Sequence, residues 1–211
     1  MKIHRFVFSP ISVNTYVVAA DNGECAVIDC GCYDDTEFSR LTEFFEEEGL
    51  KPVLLLNTHC HLDHIFGNGR MLMKYGLTAK ACMNEEDNRK NAPMHAMLYG
   101  MEMEAPPEIG EHIGDGEKVT FADITLEAIY VPGHTAGSIS WYCVDEACIF
   151  TGDALFAGGI GRSDLPGGNH EQLLRNIRER LLTLPPETVI YPGHGEFSTI
   201  GDEKHSNPWL S

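Results

Sequence analysis

Three short, largely apolar stretches near the start of the chain, residues 2–8, 14–20 and 25–30, predict three strands. Asp21-Asn22-Gly23-Glu24, between the last two, carries the small polar residues of a hairpin turn. A helical period then appears. Phe38, Leu41, Phe44 and Phe45 fall three and four apart, which predicts a helix over 34–48 that stops at Gly49. Residues 52–57 are a short apolar run, the pattern of a strand buried on both faces. A dense polar loop, 58–64, leads into a helix that reaches about residue 75. Residues 84–116 are the least regular part. There Met94, Met97, Met101 and Met103, with Pro93, Pro106 and Pro107, read either as a helix and loop that pack a flexible Met-rich face on the core or as the adaptable wall of a cleft. Strands are expected again over 118–121, 124–131, 138–143 and 147–151, then an amphipathic helix over 170–182, ended by Pro185-Pro186, and a final strand over 188–191. Strands, helix, strand, helix, then strands, helix, strand is the order of two similar α/β halves packed sheet to sheet.

Composition narrows the partners. The chain of 211 residues is 43% hydrophobic and 22% charged, ordinary globular values, and is long enough to bury a core without disulfides. With 15 basic against 32 acidic residues the net charge is −17, which argues against nucleic acid and against anionic membranes as partners. No apolar run is long enough to span a bilayer. The 7 cysteines are odd in number and lack the spacing of a disulfide framework, and the start shows no signal-peptide pattern. Free thiols in a reducing cytoplasm are the expectation.

Candidate chemistry centres on Thr58-His59-Cys60-His61-Leu62-Asp63-His64. His59 and His61 are two apart, so in extended backbone both imidazoles face one side. Asp63 and His64 come where the chain turns into a helix and can aim at a neighbouring point. Pro132-Gly133-His134, Thr151-Gly152-Asp153 and Pro192-Gly193-His194 share one shape: a strand ends, a glycine permits a tight turn, and a possible ligand follows. The donor chemistry suggests His59, His61 and His134 as one metal set and Asp63, His64 and His194 as a second, with Asp153 bridging them. Such sets leave open positions, as catalysis requires. Two adjacent ions can acidify one shared hydroxide towards neutrality. Zinc is the first expectation for the two divalent ions, with iron or manganese as alternatives. Asp63 is expected to serve catalysis as well as ligation. The charge of such a site is net positive, so an anionic substrate suits it, and Arg162 is the candidate fixed cation, or else a surface residue paired with Asp164. Cys60 is expected to face away from the ligands. His4, His95, His112, His170 and His205 read as surface or capping residues.

The set His59-x-His61-x-Asp63-His64, His134, Asp153, His194 resembles the metallo-β-lactamase superfamily in order and rough spacing. Val27-Ile28-Asp29-Cys30-Gly31 resembles that family's early Asp-x-Gly motif, and Asp29 is expected to orient the His loop. Residues 151–156, Gly161-Arg162-Ser163-Asp164-Leu165-Pro166-Gly167-Gly168 and the ending Asn207-Pro208-Trp209-Leu210 are similar to the short glyoxalase II-like hydrolases. The resemblance implies one α/β domain over 1–211, an αββα sandwich with a dinuclear site at one edge. It further implies hydrolysis of a small-molecule acyl thioester of the hydroxyacyl-glutathione kind. Full-length glyoxalase II enzymes carry a C-terminal helical extension that holds glutathione; it has no counterpart here after His194, so weak dependence on the carrier thiol is expected. A mononuclear iron persulfide dioxygenase, using His59, His134 and Asp153, is the alternative, and lactone or ester hydrolysis stays open. A flavodiiron oxidoreductase is disfavoured because that family has Glu where His61 stands. Antibiotic hydrolysis is disfavoured because the zinc β-lactamases usually lack the bridging Asp.

Overall fold

The computed structural model describes residues 1–210; Ser211, the last residue of the expected domain, lies outside the described residues. The first sheet runs β1 (Lys2–Phe8), β2 (Val13–Ala19), β3 (Glu24–Ile28), β4 (Lys51–Leu56), β5 (Ala79–Ala81) and β6 (Glu111–His112), in spatial as in chain order. Its first three strands are antiparallel, and β3 to β6 are parallel. The second sheet contains β7 (Lys118–Phe121), β8 (Ile124–Tyr130), β9 (Ile139–Cys143), β10 (Cys148–Gly152), β13 (Val189–Pro192) and β14 (Ser198–Thr199), in the order β14-β13-β10-β9-β8-β7. A separate short hairpin, β11 (Leu155–Phe156) and β12 (Gly159–Ile160), follows β10.

Side-chain alternation assigns the layers. Tyr16, Val18, Ala26, Ile28, Leu54 and Leu56 of the first sheet face Leu126, Ala128, Ile139, Trp141 and Phe150 of the second, forming the central core. The opposite face of the first sheet, with Val17, Val27 and Leu55, is covered by Leu41 and Phe45 of α1 (Asp35–Glu47) and Met71 of α3 (Asn68–Tyr75). The outer face of the second sheet, with Ile129, Ile149 and Ile190, is covered by Leu173 of α5 (His170–Asn176), Ile177 and Leu181 of the π-helical turn that continues it, and Ile200 of α6 (Ile200–Ser206). The layers are therefore α, β, β, α. No helix among the described residues is long and apolar enough to cross a membrane. All 7 cysteines are free and buried.

Local sequence explains the element starts. Asp34 caps α1 by accepting from the Glu37 amide at 2.9 Å, and Asn169 caps α5 by accepting from the Gln172 amide at 3.0 Å.

Several sequence expectations need correction. The polar loop leads into two helices, α2 (Leu62–Ile65) and α3, with a break at Phe66-Gly67. The helix of the helix-and-loop reading is α4 (Glu86–Leu98), thirteen residues long, whose bounds the sequence did not mark. Its buried residues are the small Ala92 and Ala96, and Pro93 lies inside it, so it lacks the broad apolar stripe that marks a helix in sequence. The Met-rich face is not packed on the core at Met94 and Met97, which are 55% and 75% exposed; Met101 and Met103 do pack, partly, beside Phe66. The strand over 189–192 is not the last element, since β14 and α6 follow it.

Trp141 joins the two halves. It is fully buried between the sheets, and its Nε1 donates to the Asn57 carbonyl at 3.2 Å, immediately before the His-rich loop. Trp141→Ala should lower the free energy of unfolding by about 3–5 kcal/mol, read from urea denaturation of the metal-free protein. A loss below about 1 kcal/mol would mean the two sheets do not depend on this contact.

Candidate metal centre

Five chain segments deliver polar side chains to one edge of the sandwich, each directly after a strand. β3 is followed by Asp29, β4 by Asn57 to His64, β8 by the 131–138 loop with His134, β10 by Asp153 and β13 by the 192–195 loop with His194. These strands run in a common direction within each sheet, so their carboxyl ends meet at the seam. The N-terminal strands hold the last of these loops in place. Asn14 donates from its amide to the Gly193 carbonyl at 2.7 Å and from Nδ2 to the Pro192 and Gly195 carbonyls at 2.9 and 3.0 Å. The Tyr16 hydroxyl donates to the same Pro192 carbonyl at 2.7 Å. Space at this loop is so tight that a Cβ on Gly193 would stand 2.2 Å from Asp153 Oδ1 and 2.7 Å from His64 Cε1.

The structure brings all seven sequence-predicted ligand residues together. Donor atoms of His59, His61 and His134 lie within 4.8 Å of one another, and so do those of Asp63, His64 and His194; His59, His64 and Asp153 form a third, overlapping group. Asp153 stands between the sets, with Oδ1 3.3 Å from His64 Nε2 and Oδ2 3.6 Å from both His134 Nε2 and His194 Nε2. Asp63 Oδ2 is 3.1 Å from His194 Nε2.

Hydrogen bonds on the outer side of the rings fix which nitrogen faces inward. His64 Nδ1 donates to Asp29 Oδ2 at 2.9 Å, His134 Nδ1 to the Arg162 carbonyl at 2.7 Å, and His194 Nδ1 to the Ser12 carbonyl at 3.1 Å. The Thr58 hydroxyl donates to Asp29 Oδ2, which leaves its oxygen to accept from His59 Nδ1 at 3.1 Å. In the neutral rings each of these four histidines therefore turns an unprotonated Nε2 inward. Asp29, which also accepts from the Thr58 amide at 2.7 Å, orients two of them, as its motif led us to expect.

This donor set fits cations. His59 Nε2, His61 Nδ1 and His134 Nε2 approach one another at 2.9–3.2 Å. Tetrahedral nitrogen ligands about 2.0–2.1 Å from a zinc ion stand about 3.3 Å apart. The buried atoms His64 Nε2 and Asp153 Oδ1 have no hydrogen-bond partner, although buried polar atoms nearly always find one.

The two sets differ in charge. Burial and then the neighbouring imidazoles hold His59 far below its ordinary pKa, and burial and His134 push His61 down to about 3. Burial works against a charge on His64 as well, but Asp29, Asp153 and Asp63 outweigh it and raise its pKa. Burial alone would raise Asp63 and Asp153; for both, His64 comes next and the carboxyl is pulled below its usual range. One side of the centre is thus a nitrogen trio in which His59 and His61 are held neutral, and the other a mixed acid–imidazole set.

A cavity of about 410 Å³ opens over the cluster. Ile11, Leu62, Leu98, Leu165 and Pro166 give it apolar walls, and Asn88, His95, Tyr99 and Arg162 add polar points. The Arg162 guanidinium is bound to Asp164 by two contacts, 2.8 and 2.7 Å, on an exposed surface, the surface pairing that one of its two sequence readings expects. Cys60 is buried beside Leu62, Ile65 and Phe66, away from the donors. His95 is a correction: it was read as a surface histidine, yet α4 carries it to the cavity wall. Asn88, Tyr99, the Ser12 carbonyl and the Arg162 carbonyl were also missed. Backbone carbonyls leave no mark in a sequence, and only recognition of α4 would have pointed to the other two.

Comparisons with known proteins agree with this picture. The model of the metallo-beta-lactamase superfamily matches residues 9–194. The chain is 37% identical over its whole length to the probable metallo-hydrolase YqgX of Bacillus subtilis, covering 98% of that protein. It is 34% identical to the hydroxyacylglutathione hydrolase GloC of Haemophilus influenzae, covering 100% of this chain and 99% of the relative. It is also 33% identical over 82% of its length to the mouse mitochondrial persulfide dioxygenase ETHE1, of which the match spans 62%. Among solved structures, BLEG-1 B3 metallo-beta-lactamase superposes with a TM-score of 0.91 at 31% identity, with both chains fully covered. TTHA1623 in a di-iron-bound form superposes with a TM-score of 0.89 at 31% identity, covering 98% of this chain and 100% of the other. Fold, donor set and sequence thus converge, and the chain belongs to the metallo-beta-lactamase superfamily.

Proposed function

We propose that the protein is a dinuclear-metal hydrolase of small acyl thioesters, of the glyoxalase II-like kind. The observation that carries this reading is the convergence of seven donor residues, with inward-facing Nε2 atoms on four of the rings, beneath a largely apolar cavity. His59, His61 and His134 would hold one ion, Asp63, His64 and His194 the other, and Asp153 would touch both. When bound, two divalent ions supply Lewis acidity and a water made nucleophilic at neutral pH. Zinc is the first candidate, and the di-iron form of TTHA1623 gives iron equal standing as a test.

The chain's own residues do the rest. The apolar walls receive the acyl or thiol body and exclude bulk water. Asp63 lines the cavity as a carboxylate held in its ionised form by His64 and His194, at the point where a substrate would meet the second donor set. Arg162 stands at the rim. Its pair with Asp164 is exposed and screened by water, so an anionic group on a substrate can compete for the guanidinium. A thiol ionises near 8.5, far below an alcohol or amine, so a thiolate departs without help from a protein acid. An amide nitrogen needs protonation to leave. The similarity to hydroxyacylglutathione hydrolase GloC supports the same substrate class, and the similarity to ETHE1 keeps persulfide oxidation as the rival.

Metal analysis of the purified protein is the first test. Two ions per chain should be found at saturation. One iron per chain, with oxygen consumed on glutathione persulfide, would replace the hydrolase reading with the dioxygenase. Asp153→Asn keeps the size of the side chain and removes the charge between the sets. Turnover should fall by more than about a hundredfold with the circular-dichroism spectrum unchanged; near-normal turnover with full metal loading would refute the bridging role. In a substrate screen, kcat/KM for thioesters should exceed that for matched amides and for β-lactams. The likeness to BLEG-1 makes the β-lactam arm a sharp one, since a β-lactam preferred over every thioester would overturn the proposed class.

A further inference from the structure

Glu85 is fully buried, 0% exposed, and its side chain leaves the backbone of the helix that it precedes uncapped. It occupies the cap position of α4 without making a side-chain cap hydrogen bond. Its carboxylate turns instead towards the metal centre and accepts four hydrogen bonds. Oε2 accepts from the Cys60 amide at 2.8 Å and from Asn88 Nδ2 at 2.9 Å. Oε1 accepts from the Thr135 hydroxyl at 2.6 Å and from the Gly137 amide at 2.8 Å. Four donors match the roughly four lone-pair positions of a carboxylate. Cys60 lies between His59 and His61, and Thr135 directly follows His134. One side chain thus ties together the two loops that carry the nitrogen trio through three bonds, and the fourth reaches the cavity wall at Asn88. The fit is close: a Cβ on Gly137 would stand 2.7 Å from Glu85 Oε1. The second set is held by other means, through Asp29 behind His64 and the Ser12 carbonyl behind His194.

We infer that Glu85 is a positioning residue for the His59, His61 and His134 set, acting through the backbone of both loops and leaving the other set untouched. This rests on the reading that those three histidines hold a metal ion. Gln at this position has one acceptor oxygen, and its NH₂ would face two of the four donors. The loops would then move apart with little change in side-chain volume.

Equilibrium dialysis against Zn²⁺ with a competing chelator tests the inference, together with the visible spectrum of the Co²⁺-loaded protein. The equivalent belonging to the trio is the one lost in His134→Ala. Glu85→Gln should weaken that equivalent by about 10–100-fold and alter its Co²⁺ bands, with the other equivalent at its wild-type affinity. The stability control is Glu203→Gln. Glu203 is likewise buried, but it accepts from the Gly158 amide and Asn207 Nδ2, outside the donor set. This variant should lower Tm and leave both equivalents intact. If Glu85→Gln does not fold, Thr135→Val removes one of the four donors and should give the same selective weakening, smaller in size. Unchanged affinities in the variant that folds, equal weakening of both equivalents, or the same pattern in Glu203→Gln would overturn the role. A wild-type protein that binds no ion would overturn the metal reading itself, and this proposal with it.

Discussion

Lone pairs turned towards lone pairs are the condition that the rest of this structure has to meet. Ring nitrogens at 2.9–3.2 Å and two carboxylates converge at an edge where His59, His64 and His134 are almost wholly buried. Such a cluster repels itself and has given up most of its water. It persists because four of its five rings are gripped from behind. Asp29, the Ser12 carbonyl, the Arg162 carbonyl and the Thr58 hydroxyl engage the outer ring nitrogens, and the backbone of both trio loops is tied as well. The two sheets position those partners, so the packing of Trp141, Tyr16 and Phe150 between them serves the centre as much as the core.

Much of this could be read from the chain alone, and the reasons are physical. The histidine block concentrates ligand types at a spacing that extended backbone converts into convergence, and the Gly-His and Gly-Asp turns mark strand ends. These are local signals. The sheet strands were legible because short apolar runs bounded by turn residues are also local, and the αββα order followed from the resemblance. What escaped detection depends on contacts distant in sequence or on the backbone. The carbonyls behind His134 and His194 belong to residues whose side chains do something else. Glu85 looks like one acid among 32 in the composition, and only the fold turns its carboxylate inward. The bounds of helix α4 were hidden because it buries two alanines instead of a wide apolar stripe.

Global and local charge also separate here. The chain carries −17, yet its cavity is walled largely by aliphatic side chains, with Arg162 at the rim. The exposed Met97 and Leu98 of α4 extend that apolar character to the surface beside it. A small substrate with an apolar body therefore meets a different environment from the one a polyanion meets at the outer surface.

The clasp that Asn14 and Ser12 place on the 192–195 loop joins positions 178 to 182 apart in the chain. It is a contact of very high sequence separation, and it closes on the loop that delivers His194. The second donor set is complete only when the two ends of the chain have met. Any ligand that recognises the native donors and not the unfolded chain then draws the whole population towards the closed form by mass action. The loops that present the donors thus double as the latch of the fold, and the occupancy of this edge sets how long the entire chain survives heat, denaturant or protease.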